Sequence, residues 1–298
     1  MIKAENLSMI YGKDFKAVDD LSFEIKPGEI VGFAGPNGAG KTTVIKMLTG
    51  ILKPASGRAL INGFDIVKEP IKAKESFAYV ADNPDILLQL TGLEYINYIA
   101  DVYKVPSEDR EKRIMELSER FGFRDYENEK LKDLSAGQRR RVELAAAFIL
   151  NSELIILDEP DVGLDEAGKQ VFEDIVKEKV KQGVTFLITS HNLTEVSNLS
   201  DRLVVLSEGK LMFYGNERML RSRYLPVNTM TVTYDGAIPN IDDLPIVRYR
   251  IDGNTVSYDY NSKYITASEL INVLMKQVRV LDVKIKKPDL EQIILNRS

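Results

Sequence analysis

A glycine-rich segment near the start of the chain reads Gly35-Pro36-Asn37-Gly38-Ala39-Gly40-Lys41-Thr42-Thr43. The apolar run Ile30 to Ala34 precedes it, and Val44 to Leu48 follow it. Glycines allow successive backbone N–H groups to turn toward an anion, and the positive end of the following helix points to the same place. The segment therefore predicts a strand, a phosphate-binding loop and a helix, with Lys41 for terminal phosphates and the Thr42 hydroxyl for Mg²⁺. A glycine turn that caps an ordinary helix is the alternative, and the flanking strand and helix make it the weaker one.

Composition limits the classes of function. The 298 residues carry a formal charge of -5, and charges of both signs are interspersed, so direct nucleic-acid binding is disfavoured. Because the chain has no cysteine, it has no disulfide, thiol nucleophile or cysteine metal site, which fits a reducing cytosol. It shows neither a signal peptide nor a run of about eighteen apolar residues. We therefore expect a soluble chain that reaches a membrane only through a partner.

An aromatic residue, Tyr11, ends the first alternating apolar and polar segment, which begins at Ile2. The segment predicts a short antiparallel strand, and Leu21 to Ile25 predict another. A nucleotide at the glycine loop needs a flat surface for its base, which the Tyr11 ring can provide by stacking. A half-buried tyrosine on an edge strand is an equally good interpretation of the sequence.

Two carboxylates follow the apolar run Leu154 to Leu157, which has the composition of a parallel strand buried on both faces. Ligands bind at the carboxyl edge of such sheets, so Asp158 is expected to hold Mg²⁺ or its waters. Glu159 is the candidate general base that polarises an attacking water. Plain turn chemistry is the weaker alternative. The only histidine, His191, ends the apolar strand that begins at Val184 and can donate to a terminal phosphate.

A second candidate anion site lies at Leu134-Ser135-Ala136-Gly137-Gln138. Ser135 and Gln138 form a capping-box pattern, which by itself predicts only a well-made helix start. The Ser135 hydroxyl, the Gly137 N–H and the positive helix end can also bind an anion, and the two interpretations are compatible. The following triplet, Arg139-Arg140-Arg141, is interpreted as a solvated or ion-paired first turn. Asp165 is expected to cap the helix Glu166 to Lys181.

These motifs, in this order, resemble the ATPase subunit of an ATP-binding cassette transporter over about residues 1 to 222. In that family Tyr11 corresponds to the adenine-stacking aromatic and Gly35 to Thr43 to the first Walker motif. The other correspondences are Leu134 to Gln138 for the signature, Leu154 to Glu159 for the second Walker motif, Gly163 to Asp165 for the D-loop and His191 for the switch histidine. The resemblance implies an α/β fold with a P-loop NTPase core, an antiparallel β subdomain and an inserted helical subdomain at about 84–150.

The resemblance also implies that one chain cannot complete the site. Two cassettes, as a homodimer or with a paralogous subunit, pair head to tail and clamp ATP and Mg²⁺ between the phosphate loop of one and the signature of the other. Ser135, Gly137 and Gln138 would then face the partner's nucleotide, with Asp165 in the adjoining D-loop. ATP hydrolysis at Glu159 would drive separate transmembrane permease subunits. Such a subunit would lie in the cytoplasm, peripherally on the membrane's cytoplasmic face.

The chain departs from the family pattern at three places. Asp82 occupies the position of the glutamine that senses Mg²⁺ and the attacking water, so we expect it near the metal. Ala136 replaces a commoner glycine in the signature, and Asp161-Val162 replace a small polar pair. None of these changes removes a catalytic group. A cassette that binds ATP and hardly hydrolyses it is the alternative that Asp82 keeps open.

The remaining residues, 223–298, predict a small α+β appendix with strands at Thr229 to Tyr234, Val247 to Tyr260 and Val280 to Ile285, a helix near Ser268 to Lys276 and a helical end at Leu290 to Leu295. Its end, Lys286 to Gln292, is similar to that of drug-type and sodium-type exporter subunits, which favours export. A dimer-stabilising extension is the alternative. A soluble cassette that clamps ribosomes or DNA is the competing function, but such proteins usually have two cassettes or a long coiled coil.

Overall fold

The structure is a computed structural model that describes residues 1–12, 14–82, 87–290 and 293. The chain divides into two compact units, Met1–Tyr214 and Gly215–Ser298. The strands of the first unit are β1 (Ile2–Tyr11), β2 (Phe15–Ile25), β3 (Ile30–Ala34), β4 (Ser56–Ile61), β5 (Phe64–Asp65), β6 (Ala78–Val80), β7 (Leu154–Leu157), β8 (Thr185–Ser190), β9 (Arg202–Ser207) and β10 (Lys210–Gly215). Its helices are α1 (Lys41–Leu48), α2 (Pro70–Glu75), α3 (Gly92–Val102), α4 (Ser107–Phe121), α5 (Ala136–Phe148), α6 (Glu166–Lys181) and α7 (Leu193–Leu199).

A six-stranded sheet in the order β10-β9-β3-β8-β7-β6 forms the centre of the first unit. The strands from β9 to β6 pair in parallel. Every residue of β3, β7 and β8 is buried, because helices cover both faces of a parallel sheet. The carboxyl ends of β3, β7 and β8 consequently meet at one edge, where the glycine loop, the two carboxylates and His191 follow them.

An antiparallel sheet in the order β2-β1-β4-β5 packs its apolar residues into the same core as helix α1 and strand β3. Helices α3, α4 and α5, with short 3₁₀ turns at Arg124–Tyr126 and Leu131–Asp133, form the helical insertion between β6 and β7. The expected fold class, a P-loop core with an antiparallel sheet and an inserted helical part, is confirmed.

The second unit contains helices α8 (Glu217–Tyr224) and α9 (Ala267–Gln277) and strands β11 (Val227–Tyr234), β12 (Ile246–Asp252), β13 (Thr255–Asn261) and β14 (Val280–Lys286). The strands form an antiparallel sheet in the order β12-β13-β11-β14. Leu270 and Leu274 of α9 share a buried cluster with Tyr234 and Tyr258 of this sheet, whose hydroxyls lie 2.8 Å apart. This unit therefore has its own hydrophobic core.

Several elements differ from the expectations. Helix α1 ends at Leu48, because Gly50 adopts a φ of 69° and turns the chain. The short helices α2, α7 and α8 are not anticipated, and α8 spans the boundary expected after residue 222. The expected helical end at Leu290 to Leu295 lies mostly outside the described residues.

Candidate functional site

The glycine loop lies between β3 and α1, as expected, and Lys41 folds back over it. The Lys41 Nζ atom donates to the carbonyl oxygens of Gly35 at 2.7 Å and Pro36 at 3.3 Å. Only 7% of the Lys41 side chain is exposed, and this burial lowers the pKa of its ammonium group. The ammonium is thus held at the loop by neutral carbonyl dipoles, which a phosphate can replace.

Gly40 shows why glycine is needed in this loop. Its φ of 101° lies in a region that residues with a side chain rarely adopt. A Cβ atom at this position would lie 2.5 Å from the carbonyl oxygen of Ala17. The close approach of Gly40 to the second strand, β2, fixes the loop at the point where α1 begins. The backbone N–H groups at the start of that helix therefore face an open cavity.

Glu159 is the carboxylate nearest the Lys41 ammonium. Its Oε1 lies 3.8 Å from Lys41 Nζ, and its Oε2 lies 2.7 Å from His191 Nδ1 and accepts the His191 backbone N–H at 3.2 Å. The Glu159 backbone N–H donates to Thr189 Oγ1 at 2.8 Å. One carboxylate thus joins the ends of the strands that carry the glycine loop, the acidic pair and the histidine.

Asp158 lies behind Glu159 and is almost completely buried. The Thr189 hydroxyl donates to its Oδ1 at 2.5 Å, and burial is the main reason why its pKa is raised, with the nearby charges of Asp82 and Glu159 adding to the effect. A cation that neutralises this charge would reverse that effect. Among the described residues, no group of three or more His, Cys, Asp or Glu side chains forms a metal site by itself.

An open cavity of about 500 Å³ brings most of the expected residues together. The expected residues on its wall are Tyr11, Asn37, Gly38, Ala39, Gly40, Lys41, Thr42, Thr43, Asp82, Glu159 and His191. Gly35 and Pro36 contribute carbonyls to Lys41, and Asp158 is buried and not part of the described lining. The wall also contains Phe15, Ala17 and Val162, none of which was predicted as a site residue.

The two aromatic residues of the cavity face each other across the β1–β2 hairpin. Tyr11 and Phe15 are cross-strand partners, and they are 42% and 64% exposed. Exposed rings beside a polar cavity are suited to stacking on a flat ligand. Phe15 had a sequence signal, since it is an aromatic residue four positions after Tyr11 in the same hairpin.

Ser135, Gly137, Gln138 and Asp165 lie apart from the described lining of this cavity. Ser135 caps α5: its hydroxyl accepts the Gln138 N–H at 3.2 Å, and the Gln138 side chain accepts the Ser135 N–H at 2.9 Å. A Cβ atom on Gly137 would lie 2.3 Å from the carbonyl oxygen of Gly163. The expected capping box is present, and Gly137 is required by the close approach of residue 163.

Asp165 caps α6 as expected. Its Oδ1 accepts the Gly168 N–H at 2.9 Å and an Arg141 guanidinium N–H at 2.5 Å, and these contacts lower the pKa of the Asp165 carboxyl. Arg141 therefore fits the expected ion-paired first turn. Arg140 is also ion-paired, with Glu143 at 3.1 Å, but it is 4% exposed rather than solvated and also donates to backbone carbonyls at the ends of β6 and β7. A positive charge in this helix is buried because the strand ends supply its acceptors.

Asp82 stands at the edge of the described chain, since residues 83–86, including Pro84 and Asp85 of the same expected loop, lie outside the described residues. Its side chain faces the cavity with Thr42 and Glu159. Its charge contributes to the raised pKa of Asp158 and of Tyr79, which burial raises to about 12. The structure thus places a carboxylate where the sequence pattern leads one to expect a glutamine.

A family model described as ABC transporter matches residues 18–162. The linearmycin resistance ATP-binding protein LnrL of Bacillus subtilis (strain 168) is 30% identical over 99% of this chain and 97% of its own length. The chain belongs to the ABC transporter family. The SkfA peptide export ATP-binding protein SkfE of the same organism is 37% identical over 71% of this chain and 87% of its own.

The fold comparison agrees with the family assignment. The dimeric structure of MJ0796, a bacterial ABC transporter cassette, has a TM-score of 0.67 and 25% identity over 72% of this chain and 98% of its own. The protein is an ATP-binding and ATP-hydrolysing subunit of an ABC transporter. The soluble clamp on ribosomes or DNA is not favoured. Over the described residues, no helix has both the length and the apolar character needed to cross a membrane.

Proposed function

We propose that this ABC ATPase energises an exporter, with Glu159 as the carboxylate that polarises the attacking water and His191 as its partner at the terminal phosphate. The observation that carries the proposal is the position of Glu159 between two cationic or proton-donating groups. One of its oxygens lies 3.8 Å from Lys41 Nζ, and the other lies 2.7 Å from His191 Nδ1. A carboxylate so close to the phosphate-binding ammonium is within reach of a water that attacks a bound γ-phosphate.

The nucleotide is assigned to the open cavity. Gly35, Pro36, Asn37, Gly38, Ala39, Gly40, Lys41, Thr42 and Thr43 surround its phosphates, and Tyr11 stacks on its adenine. On ATP binding, the Lys41 ammonium leaves the carbonyls of its own loop and pairs with phosphate oxygens. This exchange is favourable because a charged partner replaces two neutral ones.

Mg²⁺ is assigned to Thr42, Asp158 and Asp82. Hydroxyl and carboxylate oxygens are the hard donors that this ion prefers, and it usually takes only one or two carboxylates together with substrate phosphates and waters. The raised pKa of the buried Asp158 fits this assignment, because a nearby cation would favour its charged form. The ion would neutralise charge on the β- and γ-phosphates during hydrolysis.

The second half of the site is assigned to a partner cassette. Ser135, Gly137 and Gln138 stand at the N-terminus of α5, outside the described lining of the cavity that holds Lys41. They would bind the γ-phosphate of ATP in a second copy or a paralogous subunit, with Asp165 in the adjoining D-loop. Closure of this dimer around ATP, and its release after hydrolysis, would supply the transport stroke.

Export is proposed from the relatives and from the tail. The relative LnrL is named for linearmycin resistance, and SkfE is named for peptide export. The segment that begins at Lys286 is similar to the end of exporter ATPase subunits. The stroke would pass to separate transmembrane permease subunits, which would place this chain on the cytoplasmic face of the cell membrane. Direct nucleic-acid binding is not part of the proposal.

We also propose a division of the chain into two domains, based on the sequence. We assign residues 1–222 to the ATP-binding domain, with the helical subdomain at about 84–150, and residues 223–298 to a small α+β domain. The second unit's own core, formed by α9 and the sheet of β11 to β14, supports an independent domain. Deleting residues 223–298 tests whether this domain regulates the ATPase or strengthens a dimer.

Co-purification from its own cells tests the transporter assignment. The tagged protein should be recovered with a polytopic membrane protein in detergent, and added ATP with Mg²⁺ should be hydrolysed faster by that complex than by the chain alone. A salt-sensitive association with ribosomes or DNA, without a membrane partner, would instead support the soluble clamp. The direction of transport follows from vesicles, where ATP outside inverted vesicles should drive accumulation of the substrate inside.

A further inference from the structure

Arg140 is a buried arginine at the carboxyl edge of the central sheet, and its side chain is 4% exposed. All the N–H donors of its guanidinium group have hydrogen-bond acceptors. Its Nε donates to Pro160 O at 3.1 Å, and its Nη1 donates to Ala81 O at 2.8 Å and Glu143 Oε2 at 3.1 Å. Its Nη2 donates to the carbonyl oxygens of Asp158 at 2.8 Å and Glu159 at 2.7 Å. A guanidinium has five N–H donors, and here each one has an acceptor.

Four of the five acceptors are backbone carbonyls that follow the ends of two neighbouring strands, β6 and β7. A buried guanidinium usually pairs with carboxylates, and among the described residues Glu143 is the only carboxylate that Arg140 contacts. Two of these carbonyls belong to Asp158 and Glu159, which carry the proposed chemistry, and the other two belong to adjoining residues: Pro160, and Ala81, which directly precedes Asp82. Arg140 therefore contacts the backbone of the catalytic segment and leaves its carboxylates free.

The backbone at Glu159 explains why such a contact is needed. Glu159 has a φ of 49°, a left-handed conformation that is strained for any residue except glycine. In an extended strand, successive carbonyls point to opposite sides, whereas one Arg140 nitrogen binds the carbonyls of both Asp158 and Glu159. The left-handed turn brings these two oxygens together, and the guanidinium stabilises the turn.

The same face of α5 touches the acidic segment at a second point. Gly137 lies three residues before Arg140, so both are on one side of the helix, and the Gly137 backbone packs against the Gly163 carbonyl. The start of α5, which the proposed function assigns to the partner's ATP, is thus fixed at two places to the segment that holds Glu159. A shift of this helix end and a shift of Glu159 are mechanically linked.

We propose that Arg140 is a positioning residue for ATP hydrolysis, which holds Glu159 in its left-handed conformation and ties it to the start of α5. This inference rests on the proposed function, in which Glu159 polarises the attacking water. Arg140 itself is not part of the described lining of the cavity assigned to ATP. Its loss changes the direction of the Glu159 carboxylate and leaves the phosphate loop, Lys41 and Tyr11 in place.

The test compares Arg140→Lys with Arg110→Lys in the full-length chain. Lysine keeps the charge, but its ammonium cannot span four carbonyls as the planar guanidinium does. Arg110 is the matched control, since its guanidinium is also largely buried and binds the Asp101 carboxylate at 2.6 Å and Val105 O at 2.7 Å in the helical insertion. For each variant one measures kcat, the affinity for a non-hydrolysable ATP analogue with Mg²⁺, and the melting temperature.

We expect Arg140→Lys to lower kcat at least about tenfold, with the analogue affinity changed by less than about threefold. Arg110→Lys should keep kcat within about twofold of wild type at a similar loss of melting temperature. The inference is overturned if the two variants have the same kcat, or if Arg140→Lys loses affinity and kcat in proportion. Adding Glu159→Gln gives a second criterion: Arg140→Lys should cost little further turnover in that background, whereas independent effects would multiply.

Hydrogen exchange separates this inference from the proposed function. If Arg140 clamps the turn, amides in residues 158–163 exchange faster in Arg140→Lys than in Arg110→Lys, whether or not Glu159 proves to be the base. If Arg140→Lys does not fold, hydrogen exchange of the wild-type protein at increasing denaturant concentration tests the clamp instead. Residues 139–148 and 158–163 should then open together with increasing denaturant, and earlier opening of the second segment alone contradicts the clamp.

Discussion

The Nδ1 atom of His191 lies 2.7 Å from Oε2 of Glu159, and the backbone N–H of His191 donates to the same oxygen at 3.2 Å. The histidine side chain is 57% exposed while the glutamate is nearly buried, and both residues line the cavity. Because Glu159 follows β7 and His191 follows β8, which are parallel neighbours in the central sheet, their meeting is a property of the sheet. A bound γ-phosphate would compete with Glu159 for the same histidine.

Tyr11→Ala should weaken ATP binding through loss of base stacking. A stacked aromatic contributes about 1–3 kcal/mol, so the dissociation constant for ATP should rise by about five- to a hundredfold. Phosphate contacts are kept, so the affinity for inorganic triphosphate, measured by calorimetry, should stay unchanged. Phe15→Ala is the matched control in the same hairpin. If only the Phe15 variant loses affinity, Phe15 and not Tyr11 stacks on the adenine.

Gly137→Ala should disturb the start of α5, because the new Cβ would lie 2.3 Å from the Gly163 carbonyl. Backbone on both sides leaves little room to relax, so we expect a loss of about 1–3 kcal/mol in the free energy of unfolding. ATP-induced dimerisation of a hydrolysis-deficient protein, followed by size exclusion with light scattering, should also weaken. Ala136→Ser, at an exposed neighbouring position, should leave the free energy of unfolding unchanged. Normal stability of Gly137→Ala would contradict the close approach.

Asp82→Asn should raise the Mg²⁺ concentration that gives half-maximal ATPase activity. The substitution removes one negative charge from the cavity wall that also holds Thr42 and Glu159. We expect a rise of about three- to tenfold, because one of several hard oxygen ligands is lost. Asp101→Asn, on an exposed carboxylate of the helical insertion, is the control. An unchanged Mg²⁺ dependence would remove Asp82 from the metal site.

Asp161 gives a pH-dependent contribution to stability. Burial and a hydrogen bond with Glu195 raise the pKa of Asp161 to about 6, while that hydrogen bond lowers the pKa of Glu195; Lys169 is the facing cation. The native state therefore retains a proton that the unfolded state has lost, and the free energy of unfolding falls as the pH rises from about 4 to 6. This contribution is present below that window and absent above it.

Asp161→Asn should abolish that slope, because an amide donates to Glu195 without titrating. The difference in melting temperature between variant and wild type should then be more favourable to the variant at about pH 7 than at about pH 4.5. Calorimetric scans across this range give the comparison. Parallel curves for the two proteins would show that Asp161 does not hold the proton.

The parts of the site that were predicted from sequence are those whose chemistry is local. Each of these parts directly follows a strand: the glycine loop follows β3, the acidic pair follows β7 and His191 follows β8. Parallel strands bring their carboxyl ends to one edge of the sheet. The burial of Arg140 was not predicted, because four of its five acceptors are backbone carbonyls, which have no residue-specific signal. The contact between Gly137 and Gly163 also depends on a chain crossing that no local pattern encodes.

The account's central claim is that the Glu159 carboxylate polarises the attacking water. The direct measurement is steady-state ATP turnover by Glu159→Gln, together with its affinity for ATP. The amide keeps the size and hydrogen-bonding capacity of the side chain but cannot take a proton. We predict unchanged or tighter ATP binding, a dimer trapped with ATP and turnover reduced at least about a hundredfold. Turnover equal to that of the wild type, at equal ATP affinity, would contradict the claim.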